Sequence, residues 1–216
     1  MSLRFLITFV VSTLMAFTAG AETKALQESI YKSFLIGDTA SAKKIMAQKN
    51  FNVNKADSDG LTPLMNAALS GDLALVKLVL QKKPNLELKN PEGDTALALA
   101  LTNDQIDISK ELIRAGARVN IRVAGENHNT LLIQAAKSNL DITKLILGKD
   151  KEALNKTNTA GETPLMQAIR YGNNETAKLL LQSGADKTIK NKIGETALDI
   201  AKNSANPEAE KFLKNK

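Results

Sequence analysis

His128 is the one histidine of the chain, and there is no cysteine. A zinc cluster needs several Cys or His ligands at short spacing, so neither such a cluster nor a thiol nucleophile is available. A lone imidazole in the polar stretch "GENHNT" is a poor metal ligand or general base, although it could make binding sensitive to pH. No Gly-rich phosphate loop of the GxxxxGK type is present. Carboxylates are numerous, but they fall in turns and on charged helix faces, where solvation is their ordinary role. The chemistry left is that of contact surfaces. Arg170 and Tyr171 stand side by side before Gly172, and both residue types are enriched at protein-binding hot spots. Lys43, Lys77, Lys110, Lys144, Lys178 and Lys211 recur every 33 or 34 residues. That spacing reads as a ladder on one face, either solvated or able to track a polyanion. The expectation is a protein that is not an enzyme and carries no cofactor or metal.

Those residues need elements to position them, and the chain writes its elements repeatedly. "GLTPLMNAALSGDLALVKLVL" at Gly60–Leu80 returns as "GETPLMQAIRYGNNETAKLLL" at Gly161–Leu181. Thr62, Thr95, Thr130, Thr163 and Thr196 head five such units, at spacings of 33, 35, 33 and 33. A period of this length marks a stacked-repeat architecture. Each Thr suits a helix N-cap, because its hydroxyl can accept from an unpaired first-turn N–H. Pro63 and Pro164 suit the first helical position, where a missing N–H costs nothing. Ala67 and Ala68 keep that helix slim, and Gly71 and Gly172 end it in the left-handed conformation. A second helix follows, its apolar stripe being Leu75, Val76, Leu78, Val79 and Leu80 in one unit and Ile106, Ile108, Leu112 and Ile113 in the next.

This order of turn, Thr-Pro-Leu helix, Gly, longer helix and Gly-Ala-Asp resembles the ankyrin repeat, over residues 24–216. The implied fold is all-α, an ankyrin-repeat solenoid of stacked helix-turn-helix units joined by turns. The family's His after Thr-Pro-Leu is replaced by Met65, Ala98, Ile133, Met166 and Asp199, which implies somewhat looser turns. Residues 22–57 read as an N-terminal capping repeat, 58–195 as central repeats and 196–216 as a C-terminal capping repeat with a polar outer face. In the family, partner contacts come from turn tips and from the end of the first helix. Carried over here, the tips are Ser58, Asp59 and Leu61; Pro91, Glu92 and Asp94; Thr159, Ala160 and Glu162; and Lys192, Ile193 and Glu195. The helix-end positions are Leu69 and Ser70, Thr102 and Asn103, Lys137 and Ser138, and Arg170 and Tyr171. The third unit carries two extra residues in its turn, which would raise Arg122, Glu126, Asn127, His128 and Asn129 above the row of tips.

Met1–Ala21 has the order of a secretory leader: Arg4, the apolar run "FLITFVVSTLMAF", then small residues at Ala19 and Ala21. Cleavage after Ala21 would leave a chain of net charge +5 with both signs interleaved, which points to neither nucleic acid nor a membrane surface. The expectation is a monomer in the periplasm, or secreted, with no membrane insertion after cleavage, that binds a partner protein through its concave face and turn tips. Resemblance to exported bacterial ankyrin proteins implies a role in oxidative-stress tolerance. The alternative is a periplasmic immunity protein that occludes a toxin.

Overall fold

The computed structural model describes residues 32–34, 36–125 and 127–214. The leader read at 1–21 and Glu126 lie outside them. Residues 32–34 are helical, and α1 follows at Thr39–Met46. Five helix pairs come next: α2 (Pro63–Ser70) with α3 (Leu73–Leu80), α4 (Ala96–Thr102) with α5 (Ile106–Arg114), and α6 (Leu131–Ser138) with α7 (Leu140–Lys149). The last two are α8 (Pro164–Arg170) with α9 (Asn174–Gln182) and α10 (Ala197–Asn203) with α11 (Pro207–Lys214). A 3-10 turn at Lys151–Asn155 extends the third pair. No strand occurs among the described residues; Arg122 and Thr130 form an isolated antiparallel bridge.

Each first helix packs on the next, in the row α2, α4, α6, α8, α10, and the second helices form a parallel row from α1 through α11. The reason is in the sequence. Ala67, Ala100, Ala135, Ala168 and Ala201 all sit five residues after the capping Thr, and all are fully buried. A methyl group at that position lets neighbouring helix axes approach closely, and a larger side chain there would overpack the contact. Leu64, Leu97, Leu132 and Leu165, two residues after Thr, are also fully buried. Each contributes roughly 1.5–3 kcal/mol by leaving water. Leu198, their counterpart in the last pair, is only partly buried. At the other end Phe34 stacks on Phe51, ring centroids 6.3 Å apart.

All five Thr residues cap as read: their hydroxyls accept from Met65, Ala98, Ile133, Met166 and Asp199 N–H at 3.2–3.3 Å. The turns are not loose, contrary to what the missing His implies. Three of its replacements close the cap from the other side: Met65 and Met166 Sδ accept from Thr62 and Thr163 N–H, and the Asp199 carboxylate does the same for Thr196. The hairpins themselves are tied by Asp57, Asn90, Asn158 and Asn191, each five residues before a Thr. Their side-chain oxygens accept from hairpin amides, two apiece in three of the four: Asp59 and Leu61, Asp94, Ala160 and Glu162, and Ile193 and Glu195. Such Asx turns hold a tight chain reversal without help from the helix.

Candidate protein-binding surface

The hairpins are also joined to one another. Asn85, Arg118 and Asp186 N–H donate to the side chains of Asn54, Glu87 and Asn155, each 31 residues earlier. Thr159 N–H donates to the Asn127 carbonyl and Lys192 N–H to the Ala160 carbonyl, both at 3.0 Å. The result is a row of braced tips beside the row of first helices. Ser58, Asp59, Pro91, Glu92, Thr159, Lys192 and Ile193 are exposed along it, with Ile193 at 79% exposure the most open large apolar side chain.

Several of the expected surface residues have internal work. Leu61 is half-buried against the core. Asp94 is buried, its carboxylate accepting from Ala124 N–H of the next hairpin at 2.6 Å. Glu162 is buried too, and accepts from the Gln167 amide and from Arg170 Nη2, the latter at 2.5 Å. Arg170 also faces Glu195 of the following unit at 3.9 Å. Its guanidinium therefore stitches two units together and is not a free cation awaiting a partner.

At the helix ends, Thr102 and Asn103 are exposed, and the Asn103 amide folds back to the Leu99 carbonyl. The Ser70 hydroxyl likewise turns to the Ala67 carbonyl, beside half-buried Leu69. Ser138 does the same to the Gln134 carbonyl. Tyr171 is different. It stays 54% exposed, and Lys137 from the preceding unit sits over its ring, 5.0 Å from the centroid. A cleft of about 420 Å³ opens on the residues flanking Tyr171, lined by Arg170, Gly172, Asn174, Ser204 and Asn206 among others. Ile36, 67% exposed, holds the equivalent position before Gly37 in the first unit, as Tyr171 does before Gly172. The sequence reading missed Ile36, although the Gly37 landmark was visible.

The longer third hairpin is built from Arg122, Asn127, His128 and Asn129 with their neighbours. Arg122, Asn127 and His128 are exposed, while Asn129 is buried. His128 adopts φ 43°, and its Nδ1 donates to the Gly125 carbonyl at 2.7 Å. Arg122 Nη1 donates to the carbonyls of His128 at 2.7 Å and Thr157 at 3.1 Å.

The lysine ladder is interrupted. Lys110 pairs with Asp141 at 2.9 Å, and Lys178 pairs with Glu208 and Glu175. Hydrogen bonds to Glu208 and then Glu175 push the Lys178 ammonium up to about 12. Lys43, Lys77, Lys144 and Lys211 remain exposed. Among the described residues, no group of three or more His, Asp or Glu side chains is placed to hold a metal ion. No helix among the described residues is long and apolar enough to cross a membrane.

Stacked helix pairs, each capped by Thr and joined by braced hairpins, define a protein-binding repeat solenoid. The chain belongs to the ankyrin-repeat family: the family described as "Ankyrin repeats (3 copies)" matches residues 31–123 and 131–216. The yeast (Saccharomyces cerevisiae) protein named probable 26S proteasome regulatory subunit p28 is 32% identical over 164 residues, 74% of this chain and 69% of that protein. Human Rabankyrin-5 is 29% identical over 195 residues, which cover 79% of this chain and 16% of that protein. Among solved structures, a chain in the complex of the Bd0816 predatory endopeptidase from Bdellovibrio bacteriovorus with immunity protein Bd3460 is 46% identical, with a TM-score of 0.80. The match covers 85% of this chain and 95% of that one. Ankyrin-repeat proteins are in general binding modules without catalysis of their own, and protein–protein interaction is the class of function this family implies.

Proposed function

We propose that this chain is an immunity protein that binds an endopeptidase of the Bd0816 type and blocks its cleft. One observation carries the reading: 46% identity over 95% of a chain in an endopeptidase–immunity complex. The matching chain shares the repeat solenoid at a TM-score of 0.80, and a solenoid of stacked repeats is an architecture suited to binding. The surface supports it, with a row of exposed tips running from Ser58 to Ile193 and an exposed Tyr171 beside a cleft. Inhibition by occlusion needs only shape and contacts, which a row of exposed tips can supply.

The leader read at Met1–Ala21 would place the inhibitor in the periplasm or outside the cell, where it would shield the producing cell from its own or a neighbour's peptidase. Purification from cells should give a chain whose N-terminal residue is Glu22. None of the three proteins compared above is named for catalase or oxidative stress, so that role has no support beyond the original resemblance. The central test mixes the purified chain with the Bd0816 endopeptidase. Co-elution as one species, with hydrolysis falling to zero at equimolar ratio, is the expected result. An endopeptidase that elutes alone and stays fully active in several-fold excess of the chain overturns the proposal.

A further inference from the structure

The turns that join each first helix to its second lie at the far end of the first helices from the hairpins. Three of the junctions between these turns are closed by one position, the residue that follows the bend. Asp72 accepts from the Thr39 hydroxyl of the preceding unit at 2.9 Å, and a Cβ added at Gly37 would meet it at 3.6 Å. Gln105 covers Gly71 in the same way, its amide nitrogen 3.1 Å from an added Cβ. Asn173 goes furthest. Its amide donates to the carbonyls of Ala136 at 3.1 Å and Lys137 at 2.6 Å, in the last turn of α6.

The last junction breaks the pattern. Asn206 holds the position, but its amide donates to Asn174 Oδ1 at 2.8 Å, and the Asn174 amide donates to Asn206 and Glu208. Ile169 and Arg170 stand six and seven residues after their capping Thr, as Ala136 and Lys137 do one unit earlier. Their carbonyls thus face the junction without the bridging amide that Asn173 supplies to the earlier pair. A Cβ added at Gly172 would meet nothing within 4 Å. The space left is the cleft of about 420 Å³, with Ile169, Arg170 and Gly172 on one wall and Ser204, Asn206 and Glu208 on the other. The Arg170 guanidinium does not fill it, being held by Glu162.

This cleft is rich in acceptors. The end of α8 brings carbonyls that the preceding junction satisfies with a single planar amide. The opposite wall brings the Glu208 carboxylate, which Lys178 and Asn174 hold below its usual pKa and therefore charged. Ser204 is exposed beside it. A planar cation with several N–H donors and no acceptor suits such a lining, and a guanidinium is that group. Helix C-termini favour cations as well. A group arriving from outside also needs a long stem, whereas Asn173 reaches its carbonyls from the adjoining backbone.

Resting on the immunity reading above, we propose that this cleft is the anchor site for an arginine side chain of the endopeptidase, whose guanidinium takes the place of the missing amide and faces Glu208. The anchor lies beside Tyr171, at the edge of the first-helix row away from the hairpin tips.

The test uses the full chain with two substitutions and two small probes. Ser204→Trp fills the cleft from an exposed position, and Glu208→Gln removes its charge; circular dichroism checks that both keep native helix content. Against the Bd0816 endopeptidase, the concentration giving half-inhibition should rise roughly 30-fold for Ser204→Trp, the loss a hot spot carries. It should rise about tenfold for Glu208→Gln, the loss of one charge-assisted hydrogen bond. In amide NMR titrations, Nα-acetyl-arginine amide should shift Gly172, Asn174 and Asn206, and Nα-acetyl-glutamine amide should not. Inhibition by both folded variants within twofold of the unaltered chain overturns the inference and leaves the immunity reading standing, and Glu208→Gln alone decides if Ser204→Trp does not fold. Equal shifts from the two probes overturn the choice of a guanidinium. Failure of the unaltered chain to inhibit overturns the immunity reading and with it the assignment of the arginine to the endopeptidase, while the probe titration still reads the selectivity of the cleft.

Discussion

Replacing Arg170 by alanine separates two roles that adjacent residues would otherwise blur. Arg170 holds buried Glu162 at 2.5 Å and faces Glu195 at 3.9 Å, so its loss strands a carboxylate that is only 8% exposed. Breaking a fully buried ion pair costs about 3–5 kcal/mol, and breaking an exposed one about 0–1 kcal/mol. The Arg170 side chain is 41% exposed, so water can reach Glu162 in its absence. The Gln167 amide also still serves the same carboxylate. The figure that results is about 2 kcal/mol, or roughly 4–8 °C in Tm for a chain of this size. Tyr171→Ala removes a half-exposed ring and one contact with Lys137, a loss of about 0.5–1 kcal/mol. Thermal melts followed by circular dichroism should therefore show Arg170→Ala clearly destabilised and Tyr171→Ala nearly unchanged. Endopeptidase capture should fall for Tyr171→Ala with its fold intact. A melt of Arg170→Ala within about 1 °C of the unaltered chain would refute the structural assignment of that guanidinium.

Three further outcomes follow from single contacts. Asn158→Ala removes the acceptor for Ala160 and Glu162 N–H and the donor to Asn129; urea unfolding should show a loss of about 2 kcal/mol. Gly161 has φ 77°, and an added Cβ would lie 2.9 Å from the Lys192 backbone nitrogen, whereas Gly194 at φ 85° faces open space. Both alanine variants pay for the left-handed backbone, about 1–2 kcal/mol, but Gly161→Ala should unfold at distinctly lower urea. Asp72 accepts from Leu75 N–H, the Thr39 hydroxyl of the preceding unit and Ala74 N–H, and these bonds hold its carboxyl below the usual value of 3.8. A lowered folded pKa means stability that is present above the unfolded value and lost as pH falls through the folded one. Melts taken on going down through pH 4 should therefore lose stability faster for the unaltered chain than for Asp72→Asn.

Much of the architecture was legible because its signals are local and periodic. A Thr every 33 residues states where each helix begins, and Ala five residues later states that helices meet there. The hairpins were less legible. Asp57, Asn90, Asn158 and Asn191 recur with the same period, but the expectation of loose turns rested on the absent His and overlooked what stands in its place. The surface was harder still, because exposure depends on partners the sequence does not place together. Glu162 meets Arg170 across a hairpin and a helix, and Lys137 meets Tyr171 from the preceding unit, 34 residues earlier. Asp94 looks like any tip carboxylate until the longer hairpin beside it supplies Ala124 N–H. The greater length of the third hairpin was visible as a count of residues. What the count does not show is that it is braced on both sides.

On the function proposed above, the endopeptidase is gripped by the hairpin tips and first-helix ends. Hydrogen exchange of the chain, alone and bound to the Bd0816 endopeptidase, measures that face directly. The expected result is slowed exchange at residues 56–61, 89–94, 122–130, 158–162 and 191–195 and around Tyr171, with the outer sides of α3, α5, α7 and α9 unchanged. Protection confined to those second helices would contradict it.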